Sequence, residues 1–99
     1  MTNTRMDFDT FLPLLHQTFR LAVDSGPVDL ELVDCSKLPD HTGPGRKREP
    51  FSLLFRGPAS PVHPQRIYTV EHQQIGPLEI FLVPVARTAA GIEYQAIFN

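Results

Sequence analysis

The sequence predicts an all-β domain, a small antiparallel barrel or sandwich of about six strands with one short N-terminal helix. Apolar and polar residues alternate in several short runs, which is the period of a strand with one buried face. The chain's six glycines and ten prolines fall mainly between these runs, as turn residues do. A chain of 99 residues has the length of one domain with a single core, so residues 1–99 are taken as one unit.

The helical candidate is the segment DTFLPLLH, residues 9–16. Asp9 or Thr10 is the predicted N-cap, and Pro13 is tolerated only in a first turn. Spacings of three and four place four apolar residues on one face: Phe8, Phe11, Leu12 and Leu15. We expect one or two helical turns that lie as a lid over a barrel end or a sheet.

The strands are predicted from the alternating runs and the turns between them. A turn at Ser25-Gly26-Pro27 joins the first two strands into a hairpin, and a long polar connection, residues 37–50, follows them. In the strand at 66–72, alternation leaves open which face is buried. Because short turns join the later strands, a meander is the simplest topology. The predicted strands are residues 18–24, 28–33, 51–56, 66–72, 78–85 and 92–99.

Two predicted strands are apolar on both faces. In PFSLLFRGP, residues 50–58, the face carrying Phe51 and Phe55 is predicted to fill the core, whereas Leu54 interrupts the other face. In the run 80–85, Ile80 and Leu82 share one face, and Phe81, Val83 and Val85 share the other. Both faces need cover. Internal burial and a subunit interface stay equally open, and the predicted interface is Leu54, Phe81, Val83 and Val85, with Arg56 at its rim.

A family resemblance can be stated on these segments. The stretches PFSLLFRGP, IYTVEH, IGPLEIFLVPV and EYQAIFN, after an N-terminal turn rich in Phe and Leu, resemble a small bacterial family of about this length that is described as a domain of unknown function. The resemblance covers residues 11–99. Its motifs are strand cores and turns, so it implies a fold and little chemistry, together with an association with phage-tail-like genes.

The residues that could carry chemistry are isolated from one another. No two of the four histidines (His16, His41, His63 and His72) have the short spacing of metal ligands, so no metal or cofactor is predicted. Cys35 lacks a Gly-rich elbow or a helix N-terminus, and the adjacent Asp34 would raise its pKa, which favours an inert thiol over a nucleophile. The basic cluster Arg46-Lys47-Arg48 has no interleaved aromatic residues, which favours a solvated loop over a nucleic-acid site.

Composition excludes some classes of partner and indicates a compartment. A net charge of −2 at pH 7 argues against nucleic acid or an anionic membrane surface as the partner of the whole domain. The sequence contains no apolar run of the roughly 20 residues needed to span a bilayer. With one cysteine and no secretory signal in view, we expect a reducing compartment, the cytoplasm.

The function predicted from these observations is that of a non-enzymatic structural or interaction module. It would bind a partner protein or copies of itself, in the setting of a phage-tail-like assembly that the resemblance implies. The alternative is a small barrel that binds an apolar ligand in an incompletely filled interior, lined by Phe51, Phe55, Tyr68 and Tyr94. An enzyme is the third hypothesis, and it would require His63 or His72 close to Cys35 or to a buried carboxylate.

Overall fold

A computed structural model describes residues 7–38 and 50–98, and these residues form a closed antiparallel barrel of six strands. The predicted fold class is confirmed, including the short N-terminal helix. The basic cluster at 46–48 and His41 lie outside the described residues. The elements are helix α1 (Phe8–Phe11), a 3₁₀ turn (Leu12–Leu14) and strands β1 (Thr18–Val23), β2 (Gly26–Lys37), β3 (Phe51–Gly57), β4 (Arg66–His72), β5 (Gly76–Thr88) and β6 (Gly91–Phe98).

The strands are arranged around the barrel in the order β1-β2-β3-β6-β5-β4. Two three-stranded meanders, β1-β2-β3 and β4-β5-β6, are joined by the pairings of β3 with β6 and of β1 with β4. The prediction of one continuous meander was therefore wrong at β3, which does not pair with β4. A single open meander would leave two strand edges exposed to other chains, whereas ring closure lets the edge strands pair with each other.

The barrel interior is filled by alternate residues of every strand. Phe51, Leu53 and Phe55 of β3 are completely buried, which confirms the predicted core face of PFSLLFRGP. In β4 the buried set is Tyr68, Val70 and His72, so the face left open by the sequence is now assigned. Ile80 and Leu82 face the interior from β5, and Tyr94 and Ala96 face it from β6.

Several turn and strand boundaries differ from the sequence prediction, among them the end of β2, which was predicted at residue 33 and is found at Lys37. The β1–β2 hairpin turns at Asp24-Ser25, because Val23 already pairs with Gly26. Strand β5 does not end near Pro84 but continues to Thr88. Beyond Leu82, β5 has no pairing with β4, so the missing N–H of Pro84 costs no hydrogen bond on that side. A bulge between Pro84 and Ala86 follows in the pairing with β6.

Helix α1 and the 3₁₀ turn close one end of the barrel. The N-cap is Asp7, neither of the two predicted residues, and its Oδ1 accepts hydrogen bonds from the Thr10 N–H at 3.0 Å and the Thr10 hydroxyl at 2.7 Å. Phe11 and Leu14 are buried, whereas Leu12, predicted on the buried face, is exposed. With three residues per turn, Phe11 and Leu14 share one face, and Leu12 lies on another.

The connection from β3 to β4, residues 58–65, crosses the opposite end of the barrel. Its His63 is buried, and the His63 N–H donates a hydrogen bond to the Tyr94 hydroxyl at 3.0 Å. The Tyr68 hydroxyl donates to the Pro64 carbonyl at 2.5 Å. Two core tyrosines thus hold this loop in place. Among the described residues, no helix is long and apolar enough to cross a membrane.

Candidate interaction surface

A group of apolar side chains lies on the outside of the barrel, on strands β3, β4, β5 and β6. We call this group the outer patch. Ile67, Phe81 and Ile97 are 63%, 50% and 54% exposed, respectively, and Leu54 and Val83 are half-buried. Single exposed apolar residues are normal, but five on one face of four adjoining strands are the kind of surface that another molecule covers. The outer patch consists of Leu54, Ile67, Phe81, Val83 and Ile97.

The strand register relates the outer-patch residues of the four strands, and Ile97 lies two residues from Gln95 on the same face of β6. Ile67 lies directly opposite Phe81 in the β4–β5 pairing. In the next row, Val83 lies opposite Gln95, which in turn lies opposite Leu54. Directly opposed residues of neighbouring strands have Cβ atoms about 5 Å apart, so their side chains touch. The patch therefore spans four strands, with the Gln95 side chain in its middle.

Three of the five residues predicted for an interface, Leu54, Phe81 and Val83, are brought together by this register. Val85 is 49% exposed and lies in the β5 bulge, next to the patch. Sequence reasoning missed Ile67, because either face of 66–72 could have been buried. It also missed Ile97, although assigning Tyr94, Ala96 and Phe98 to the core places Ile97 on the opposite face.

Helix α1 does not cover Leu54. The helix packs at the barrel end, where the Phe11 ring centroid is 6.0 Å from that of Phe51 and 5.7 Å from that of Phe98. Leu54 lies at the middle of β3, between Asp34 of β2 and Gln95 of β6. Leu54 therefore receives no cover from the helix.

Arg56 borders the patch and is paired within the chain. One terminal nitrogen of its guanidinium donates a hydrogen bond to Glu93 Oε2 at 3.0 Å, and the pair is largely covered. The Nε atom of Arg56 is buried and has no hydrogen-bond partner among the residues that the structure describes. Arg56 also lies opposite Glu31 in the β2–β3 pairing. Its guanidinium is therefore held in place beside Leu54, and its rim role stays a prediction.

The residues of the alternative ligand site are all part of the packed core. Phe51, Phe55, Tyr68 and Tyr94 are at most 5% exposed. Phe55 packs edge-to-face on Phe19 with ring centroids 5.2 Å apart, and both tyrosine hydroxyls bond the 58–65 loop. Of the four, Tyr68 also lines a surface cleft beside the β1–β2 turn. The ligand-binding hypothesis stays a prediction.

The buried histidine of β4 has structural partners for both ring nitrogens. His72 Nε2 is 2.7 Å from Gln17 Oε1, and Nδ1 accepts a hydrogen bond from the Gln74 N–H at 3.1 Å. Because Nδ1 accepts, the proton of the neutral ring is on Nε2. The ring also packs on Phe19, with centroids 4.8 Å apart. His72 therefore joins the start of β1 to the β4–β5 turn, and none of these partners is Cys35 or a carboxylate.

Cys35 of β2 has the properties of an unreactive thiol. Burial, and secondarily the Asp34 carboxylate, raise the pKa of the Cys35 thiol from 9.0 to about 11. The thiolate is the reactive form, so little of it exists at neutral pH. Within the described part of the chain, no three His, Cys, Asp or Glu side chains are grouped as a metal site.

We predict that alkylation of Cys35 by iodoacetamide is slow at pH 8 and still accelerates between pH 9 and 11. The urea-unfolded chain should instead reach half of its maximum alkylation rate near pH 9, the ordinary pKa of the thiol. The raised pKa also means that the unfolded state loses this proton first, so this group's contribution to stability declines as pH rises from 9 to about 11. A folded-state alkylation rate that is already half-maximal near pH 9 would contradict the assignment.

These features define a class of protein. It is a small, closed, six-stranded antiparallel barrel whose interior is occupied by buried side chains and which has an apolar patch on its outer face. The chain belongs to the family called Domain of unknown function (DUF6916), whose sequence profile matches residues 6–98. The resemblance to a domain of unknown function is thereby confirmed. Neither the curated proteins nor the solved structures include a significant match to this chain.

Proposed function

We propose that this domain is a non-enzymatic interaction module that associates with a second copy of itself through the outer patch. The observation that carries the proposal is that strand pairing brings the apolar side chains of the patch side by side. Ile67 lies opposite Phe81, and Val83 and Leu54 lie on either side of Gln95. Covering these side chains removes apolar surface from water, which stabilises a complex by about 25 cal/mol per Å² before the cost of association.

Charge supports a second copy as the partner. The net charge of −2 at pH 7 is close to neutrality, so two copies repel each other weakly. The charged pair at the edge of the patch, Arg56 with Glu93, is already formed within one chain. A two-fold dimer would place the same patch on both sides of the interface. Polar residues on the same strands, such as Thr69 and Glu79, would form its rim.

The setting that the sequence resemblance implies, an accessory of a phage-tail-like assembly in a bacterial cytoplasm, belongs to this proposal. Assemblies of that kind are built from repeated copies of small domains, and a patch on one barrel face suits such a role. The separation of His72, His63 and Cys35 into structural contacts supports a non-enzymatic module without a cofactor. The second candidate, a barrel that binds an apolar ligand, would use the cleft wall at Tyr68 as its entrance.

A dilution series of the folded protein followed by ¹H–¹⁵N NMR tests the proposal residue by residue. We expect concentration-dependent shifts at residues 52–56, 66–68, 80–84 and 94–97, the strand segments that carry the patch. Replacing Phe81 by Asp should weaken association at least about tenfold, because it places a charge in the interface centre. The matched control is Leu12→Asp, an exposed apolar residue at the helix end of the barrel. Equal effects of the two substitutions would refute the patch as the interface.

A further inference from the structure

The barrel is closed between β1 and β4 by a very short pairing. Only Arg20 with Glu71 and Leu21 with Val70 are paired there, whereas β1 pairs with β2 along its whole length and β4 pairs with β5 along its whole length. Continuing the same register would place Ala22, Val23 and Asp24 opposite Thr69, Tyr68 and Ile67. The structure contains none of these three pairs. We call this part of the barrel the open seam.

A surface cleft lies at the open seam. Its volume is about 450 Å³, and its lining includes all six residues whose pairing is missing. The β3–β4 connection adds a third wall that includes Pro61, Val62 and Pro64. A cleft of this volume is within the range of about 300–1,000 Å³ that is typical of ligand sites.

The loop wall leaves the backbone of the two strand edges unpaired. Pro61 and Pro64 have no N–H to donate. The His63 N–H is used by the Tyr94 hydroxyl, and the Pro64 carbonyl is used by the Tyr68 hydroxyl. Among the described residues, no backbone hydrogen bond from a loop reaches residues 22–24 or 67–69 on these edges. Because the N–H and C=O groups of alternate strand residues point to opposite sides, only alternate residues of segments 22–24 and 67–69 present peptide groups to the cleft.

We propose that the open seam binds an extended peptide segment by β-strand addition. Free N–H and C=O groups on a strand edge are complementary to an extended backbone and to little else, which specifies the class of ligand. Three residues of strand measure about 10 Å, so the site takes a segment of three to four residues. The site is distinct from the self-association surface, because its binding groups are backbone atoms on the seam. Ile67 is the one residue of the outer patch that also lines the cleft.

The cleft side chains specify the peptide further. Val62 is 42% exposed and Ile67 is 63% exposed, and both line the cleft. They favour a peptide with a β-branched or other apolar side chain on its outward face. Asp24 stands at the β1–β2 turn of the cleft, and the Arg66 guanidinium is held over the Tyr68 ring at 5.4 Å. A basic residue at the end of the peptide nearest Asp24 would therefore be favoured.

The test uses the full chain and a capped hexapeptide of sequence KTVTVK, which combines an extended β-branched centre with basic ends. We expect ¹H–¹⁵N shifts at millimolar peptide to concentrate at residues 22–24 and 67–69. Two control peptides carry N-methyl groups on both valines or on both threonines. Each modification removes the donors of one backbone edge and keeps every side chain, so at least one control should bind ten times more weakly or worse.

Substitution of Val62 by Ser should weaken binding of the unmodified peptide several-fold. Leu12→Ser, at the other end of the barrel, should leave its binding unchanged. Absence of shifts with the parent peptide would overturn the proposal. Undiminished binding of both methylated peptides would also overturn it, because side-chain contact alone would then account for affinity. Shifts confined to 52–56 and 80–84 would assign the peptide to the outer patch and would likewise exclude the seam. A chain that proves monomeric leaves all of these readouts intact.

Discussion

Replacement of Gly91 by Ala is expected to destabilise the fold by about 4 kcal/mol, from overpacking together with backbone strain. Gly91 begins β6 with φ +140°, a conformation that residues with a Cβ rarely adopt. A Cβ at this position would also overlap the carbonyl oxygen of Gly57 on the neighbouring strand β3. Because that obstacle is backbone, the β3–β6 ladder must shift to make room. Urea unfolding monitored by circular dichroism measures the loss, and it would be a large share of the roughly 5–15 kcal/mol typical of a domain.

Gly26→Ala is the matched control for this substitution. Gly26 also has a positive φ, +122°, but a Cβ there would meet no atom within 4 Å. It should therefore cost about 1–2 kcal/mol from strain alone. The difference between the two variants isolates the overlap with Gly57. Equal losses would contradict the close approach of β3 and β6 at this corner of the barrel.

Replacement of Phe51 by Ala is expected to cost about 3–5 kcal/mol, the usual range for a buried phenylalanine. The Phe51 side chain is fully buried and stacks on Phe98 with ring centroids 4.7 Å apart. It also contacts Phe8 edge-to-face, at 6.2 Å, and Phe11. Its loss would leave a cavity under helix α1, so the packing of the helix against this end of the barrel should weaken.

Phe51→Leu serves as the control, since it keeps most of the apolar volume and should cost about 1–1.5 kcal/mol. The same chemical denaturation measures both variants. Amide hydrogen exchange adds a local readout, because residues 8–14 should lose protection in Phe51→Ala before the strands do. If Phe51→Ala lowers the free energy of unfolding by less than about 1 kcal/mol, Phe51 does not hold helix α1 against the barrel.

Strand positions and core faces could be predicted from sequence because alternation reports burial directly. Phe51, Leu53 and Phe55 are the clearest case. Ring closure could not be predicted in this way. Short turns identify neighbours that are adjacent in the chain, whereas the pairings of β3 with β6 and β1 with β4 join strands separated by other elements. The continuation of β5 past Pro84 could not be predicted for the same reason. It depends on which strand still pairs with β5 there, and that strand is β6.

The outer patch was partly predictable. Phe81 and Val83 were identified because apolar residues occupy both faces of their strand. Ile67 required knowledge that Tyr68 and Val70 face the core, which alternation alone does not decide when both faces contain apolar residues. The open seam had no sequence signal. It arises from an unformed pairing between β1 and β4, and such an absence becomes visible only when both strands are placed.

The patch and the seam adjoin at Ile67, which faces Phe81 on one side and the cleft on the other. A dimer formed through the patch would therefore leave β1 and the cleft wall at Val62 accessible at its edge. The domain would then combine self-association with capture of an extended segment. This combination suits an assembly component that joins copies of itself to a second chain.

Light scattering coupled to size-exclusion chromatography, over a concentration series, tests the central claim of self-association most directly. The wild-type chain should approach about 22 kDa, twice its 11.1 kDa mass, as concentration rises. Phe81→Asp should stay at the monomer mass, and Leu12→Asp should follow the wild type. A wild-type mass of 11.1 kDa at every concentration would contradict the account, as would a dimer that Phe81→Asp leaves intact.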